Sequence, residues 1–182
     1  MNSPKIARSH GTGLGPWVFK KQGSGVIIEH GALVFHPENI TLGDNVYIGH
    51  YASIKGYYDR QITIGNGCWI GQYVFMHACG GIEIGKNVGI GPKVNILSSY
   101  HQVDGSDGPI LHQPLMRQPT VISDDCDIGV NATILSGVIL AKGIQVAAGA
   151  VVTKSVDEPY CIISGVPAKI TRMRKIDKNN EQ

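Results

Sequence analysis

Along most of the chain an aliphatic residue returns every six positions, often with glycine directly after it. LGDNVY begins at Leu42, IGHYAS at Ile48, IGNGCW at Ile64, IGQYVF at Ile70, IGKNVG at Ile84 and IGPKVN at Ile90. An unbroken run then begins at Ile122, Ile128, Ile134, Leu140, Val146 and Val152. Four places after each start comes a second small or aliphatic residue, such as Val46, Ala52, Cys68, Val74, Val88, Val94, Cys126 and Ala132. A helix does not produce this spacing, because a buried helical face needs positions i, i+3, i+4 and i+7. Short strands with a turn after each do produce it. Two residues of each hexad face inward, and glycine or asparagine takes the unusual φ of the turn. Three hexads close one coil, and coils stack about 4.8 Å apart. Each coil covers only its neighbours, so stability accumulates by stacking. The pattern predicts an all-β protein built as a single-stranded parallel β-helix.

Three insertions interrupt the hexads without breaking their register. They lie between Ile54 and Ile64, between Met76 and Ile84, and between Ile96 and Ile122. The last is long enough to read as functional. The reading is therefore an N-terminal cap over 1–25, a β-helix over 26–156 with an inserted loop at about 99–118, and a C-terminal cap and basic tail over 157–182. Ile28 and Val34 belong to an incomplete first coil.

Composition agrees with that plan. The chain has 182 residues, of which 24 are Gly, with 42% hydrophobic and only 16% charged residues. Many turns and an aliphatic core follow. A formal charge of +2 gives no field that calls for nucleic acid or an anionic membrane. No stretch approaches 18 apolar residues, so no membrane span is expected. Cys68, Cys79, Cys126 and Cys161 show neither zinc spacing nor a disulfide framework, and no metal is expected. A cytoplasmic location follows. Basic residues gather late, in Lys169, Arg172, Arg174, Lys175 and Lys178, either as a solvated tail or as a binding surface.

Two segments carry a family resemblance, NILSSYHQVDG (95–105) and IGVNATILSGVILAKGIQVAAGAVVTKSVDEPYCIISGVPAKITRMR (128–174). Through them residues 26–174 resemble the hexapeptide-repeat acyltransferases, in particular the galactoside, maltose and polysaccharide O-acetyltransferases. The resemblance implies a left-handed β-helix, a homotrimer with sites in the clefts between subunits, and acetyl-CoA as co-substrate. Departures are Asp127, where the family often has Trp, and Gly71, where galactoside-type members carry Asn.

His101 stands at the start of the long insertion, at the position of the family's catalytic histidine. A neutral imidazole takes the acceptor's proton as the new bond forms, and a thioester needs no covalent enzyme intermediate. The family's cofactor contacts fall on Val130, Ala148, Gly149 and Thr153, and its phosphate contacts on Lys169 and Arg172, with Lys154 added as a nearby cation. For the acceptor the candidates are His77, one coil below Leu97, with Gln72 and Asp104. His77 reads first as a packed or solvated side chain, and Asp104 first as a turn residue of VDGSDG, with orientation of the His101 ring as its other role. His10, His30, His36, His50 and His112 receive no role.

The expected activity is acetyl-CoA-dependent O-acetylation of a carbohydrate hydroxyl. Alternatives are N-acetylation of an amino sugar or antibiotic, a non-catalytic scaffold, and a γ-carbonic-anhydrase-like metal enzyme. The last lacks the H-x4-H pair such a site needs.

Overall fold

The structure is a computed structural model that describes residues 9–105 and 107–176. It is a solenoid of three parallel sheets forming the faces of a triangular prism. The first face stacks Lys21–Gln22, Ile40–Leu42, Ile62–Ile64, Ile82–Ile84, Thr120–Ile122 and Ile139–Leu140. The second stacks Ile27–Ile28, Tyr47–Ile48, Trp69–Ile70, Gly89–Ile90, Asp127–Ile128 and Gln145–Val146. It is extended by Cys161–Gly165 and by Ala168–Met173, which folds back antiparallel. The third stacks Leu33–Phe35, Ser53–Lys55, Phe75–His77, Asn95–Leu97, Thr133–Ile134 and Val151–Val152.

Hexad starts pair directly with one another, as in Ile64 with Ile84 and Ile84 with Ile122, so the insertions leave the register intact. From Leu42 to Val152 those starts are buried, and so are their partners four places on up to Ala150. A fully buried Ile or Leu contributes about 1.5–3 kcal/mol by leaving water, and one continuous aliphatic column runs up the prism. The first coil reaches back to Lys21, five residues before the expected boundary, because Lys21–Gln22 pairs with Thr41 and Leu42. Below it Trp17 and Phe19 pack on the core and close that end. Lys178 lies outside the described residues.

The turns divide their labour differently from the expectation. The left-handed φ falls on the fourth residue of the hexad, and that residue is not always Gly or Asn: Tyr51, Tyr73 and Lys93 adopt φ of 57°, 58° and 59°. The glycine after the aliphatic start serves close stacking instead. A Cβ on Gly71 would run into backbone atoms of Gly91 and Pro92 in the next coil, the nearest at 2.7 Å. There only glycine lets adjacent coils approach to strand spacing.

All three insertions leave the prism at the same corner, between the third and first faces. The longest is an antiparallel hairpin, the arm. Ser99–His101 pairs with Leu115–Arg117, and Gln102 N–H extends the ladder to Pro114 O at 2.9 Å.

Candidate active site

The arm is tied to the solenoid at its root. Ser98 is fully buried. Its hydroxyl donates to His77 O at 2.8 Å and accepts Gly80 N–H at 2.8 Å. Its own N–H also reaches His77 O, and its carbonyl accepts Gln118 N–H at 3.0 Å. A Cβ on Gly80 would collide with Ser98 O and the Gln118 backbone, so the second insertion contributes a glycine where the arm begins and ends. The first insertion contributes Asp59, whose carboxylate holds both terminal nitrogens of Arg117, one at 2.9 Å. Arg117 Nε donates to Cys79 O, and the guanidinium lies 5.6 Å from the Tyr57 ring centre. The Arg117 side chain holds the Asp59 carboxyl below the usual carboxylate range. Burial, with Cys79 beside it, pushes the Tyr57 phenol up to about 12.

On this arm His101 is half-buried and faces the same side as Ser99, since alternate residues of a strand share a face. Its Nδ1 lies 3.2 Å from Gln113 O. A carbonyl only accepts, so Nδ1 carries a hydrogen, and in the neutral ring the lone pair then falls on Nε2. The connection between the two arm strands thus fixes which ring nitrogen donates. Asp104 does not perform this task. Its carbonyl accepts from Gln102 Nε2 at 3.0 Å, and among the described residues its carboxylate makes no hydrogen bond to the ring.

His77 pairs in register with Leu97, as the repeat spacing requires, and its Nδ1 lies 3.4 Å from Ser99 Oγ. Burial, with Lys55 and His10 nearby, lowers its pKa. His77 and His101 therefore belong to one corner. Gln72 does not: it sits at the corner between the second and third faces.

The expected cofactor residues are also divided. Val130, Ala148 and Gly149 form an exposed column at the second–third corner. Gly149 N–H is donated to Val130 O at 2.8 Å, and among the described residues Val130 and Ala148 N–H donate to nothing. Thr153 lines a recess of about 360 Å³ above the arm with Leu97, Ser99, Tyr100, Gln118, Leu135 and Ser136. Lys154 is exposed beside it. Lys169 and Arg172 are three apart on a strand, yet they share a face. An irregularity at Ile162/Ile163 leaves Thr171 unpaired, so that Arg172 pairs with Ile162 and Lys169 with Ser164. Arg172, Arg174 and Lys175 line a recess of about 540 Å³ with Gln145 and Ile162. One chain thus presents His101 at one corner and the Val130, Ala148 and Gly149 column at the next, with the third face between.

The cysteines are buried and unpaired. Burial pushes the Cys126 thiol up to about 11, the wrong direction for a nucleophile. Among the described residues no three His, Cys, Asp or Glu side chains converge as a metal site. No helix among them is long and apolar enough to cross a membrane.

The hexapeptide repeat of succinyl-transferase matches residues 119–154. A tetrahydropyridine-dicarboxylate N-acetyltransferase of Brevibacillus brevis is 44% identical over 66 residues, 36% of this chain and 27% of that one. A probable macrolide acetyltransferase of Lysinibacillus sphaericus is 45% identical over 73 residues, 40% of each. Among solved structures, a hexapeptide-repeat acetyltransferase of Vibrio cholerae in complex with acetyl coenzyme A is 26% identical. It has a TM-score of 0.62 over 87% of this chain and 73% of that one. AntD, an N-acyltransferase of Bacillus cereus, has a TM-score of 0.77 over 86% and 84% at 23% identity, a likeness of fold. These matches agree with the resemblance read from the sequence: residues 119–154 carry the hexapeptide repeat, and the relatives and structures above are acetyltransferases and an N-acyltransferase. It spans 27% and 40% of the lengths of the two curated relatives above.

Proposed function

We propose that this chain is an acetyltransferase that moves the acetyl group of acetyl-CoA directly to a carbohydrate hydroxyl, with His101 as general base. The observation that carries this is the Nδ1 contact to Gln113 O, which leaves Nε2 free to accept a proton. Acetyl-CoA supplies an acyl carbon already activated as a thioester. His101 Nε2 takes the hydroxyl proton as the acceptor oxygen bonds to that carbon, and returns it to the departing sulfur. The carbon–oxygen bond forms and the carbon–sulfur bond breaks, with no change of oxidation state.

Val130 and Ala148 N–H suit the amide carbonyls of the pantetheine arm, and Lys169 and Arg172 suit its phosphates. Their separation from His101 on one chain supports a homotrimer, in which one copy's arm meets the next copy's second–third corner. Gln72 and Thr153 then take part from opposite walls of the cleft. Buried free thiols suit a reducing, cytoplasmic setting.

An amine acceptor is the second reading, favoured by the match to an N-acetyltransferase. The test is thiol release from acetyl-CoA with sugars, sugar phosphates, uronic acids and amino sugars. A hydroxyl acceptor with turnover cut about 10²–10⁴-fold in His101→Ala is expected. Turnover of amines alone selects the second reading, and undiminished turnover in His101→Ala removes the base.

A further inference from the structure

Beneath the arm, side chains from separate coils and from the N-terminal segment converge. His10 and His36 have ring nitrogens 3.4 Å apart. The His10 ring lies 5.4 Å from Tyr57, and the Tyr57 ring 5.8 Å from His77. Lys55 pairs in register with His77 on the third face, so the two side chains leave the same side of adjacent coils. Nearby carboxylates are already committed, Glu38 to His36 at 3.0 Å and Asp59 to Arg117 and Arg60. Among the described residues Lys55 makes no ion pair.

A half-buried lysine whose charge bears on two nearby imidazoles, with no ion pair of its own among the described residues, makes a place suited to an anion. We propose that Lys55, His77 and His10 bind the phosphate or carboxylate group of an anionic acceptor, one coil below the root of the arm that presents His101. Lys55 supplies the fixed charge. His77 offers Nε2 while its Nδ1 faces Ser99 Oγ, and His10 closes the site from the N-terminal segment. Burial first, and then the Lys55 charge, holds the pKa of both histidines down. A bound anion offsets both effects, so it draws protons onto the rings and strengthens its own hold. The acceptor class this selects is a sugar phosphate or a uronic acid. Naming the ligand an acceptor rests on the His101 reading, but binding of the anion itself does not.

The test is titration of the full-length protein with inorganic phosphate and, separately, with glucuronate, following the histidine ring proton signals by NMR. Saturable shifts of the His10 and His77 signals are expected. Lys55→Met should weaken binding about tenfold, the worth of one charged hydrogen bond, and His101→Ala should bind as the native protein does. Lys55→Arg, which keeps the charge, should retain binding and show that the fold tolerates a change there. Saturation by phosphate alone or by glucuronate alone upholds the site and selects the group. Stationary His10 and His77 signals with both anions, or equal affinity in Lys55→Met, overturn it. If binding persists while thiol release fails with every acceptor, the catalytic reading fails and the anion site stands.

Discussion

Replacing Ser98 by alanine removes one oxygen from the place where the arm joins the solenoid. The methyl group fits the space, so the cost is polar. Gly80 N–H is buried and loses its acceptor, and an unsatisfied buried donor costs about 1–3 kcal/mol. His77 O keeps one partner, the Ser98 N–H at 3.1 Å, so losing the hydroxyl there adds little. A total of about 2 kcal/mol raises the open population at the arm's root about 30-fold. For a chain of this size it lowers Tm by about 4–8 °C if the loss is felt globally. Hydrogen exchange separates the two cases. Gly80 and Gln118 amides should exchange about 30-fold faster in Ser98→Ala, while amides such as Asp127 and Thr133, farther along the solenoid, stay unchanged. Turnover should fall with the arm while the KM for acetyl-CoA holds. Ser99→Ala, which gives up only a 3.4 Å contact to His77, should stay within about 0.5 kcal/mol of the native protein. Unchanged exchange at Gly80 in Ser98→Ala would refute this account of the root.

Other expectations come from the same corner. Gly80→Ala should cost more than Ser98→Ala, because its Cβ meets backbone rather than a movable side chain; urea denaturation measures it. The His77 pKa is lowered, so its unfolded form binds protons first: its share of stability is whole above pH about 6.5 and is lost as pH falls through the folded value. The urea midpoint should therefore drop on acidification below pH about 6.5, and less so in His77→Gln. The Asp59 carboxyl is also lowered, so the Arg117 clamp should hold through neutral pH and release only below the ordinary carboxylate range, read as faster exchange at Gln102. Replacing both Lys169 and Arg172 by Met should raise the KM for acetyl-CoA about tenfold or more with kcat retained.

The solenoid was legible because its physics is local. Every hexad repeats one decision about which side chain faces in, and Ile64, Ile84 and Ile122 stack as the spacing demands. The same register placed His77 one coil below Leu97. Less was legible where contacts join distant segments. Nothing in GYYDR announces that Asp59 grips Arg117, 58 positions away, and a periodic pattern says nothing of the His10 ring meeting Tyr57. The Val130 and Ala148 N–H groups, unpaired among the described residues, have no side-chain signature and are reached only through the family resemblance. The turn at Tyr51 and Tyr73 ran against propensity because the stacked coils dictate φ there. Each insertion follows a third hexad, so all three leave at one corner and meet.

In the proposed mechanism the arm brings His101 to the acyl sulfur in a cleft shared between copies. A crystal structure with coenzyme A tests it most directly. The sulfur should lie within about 4 Å of His101 Nε2, near attack distance, with the pantetheine arm on the Val130 and Ala148 N–H groups of a neighbouring copy. Coenzyme A bound wholly on one chain, with its sulfur remote from every His101, would contradict it.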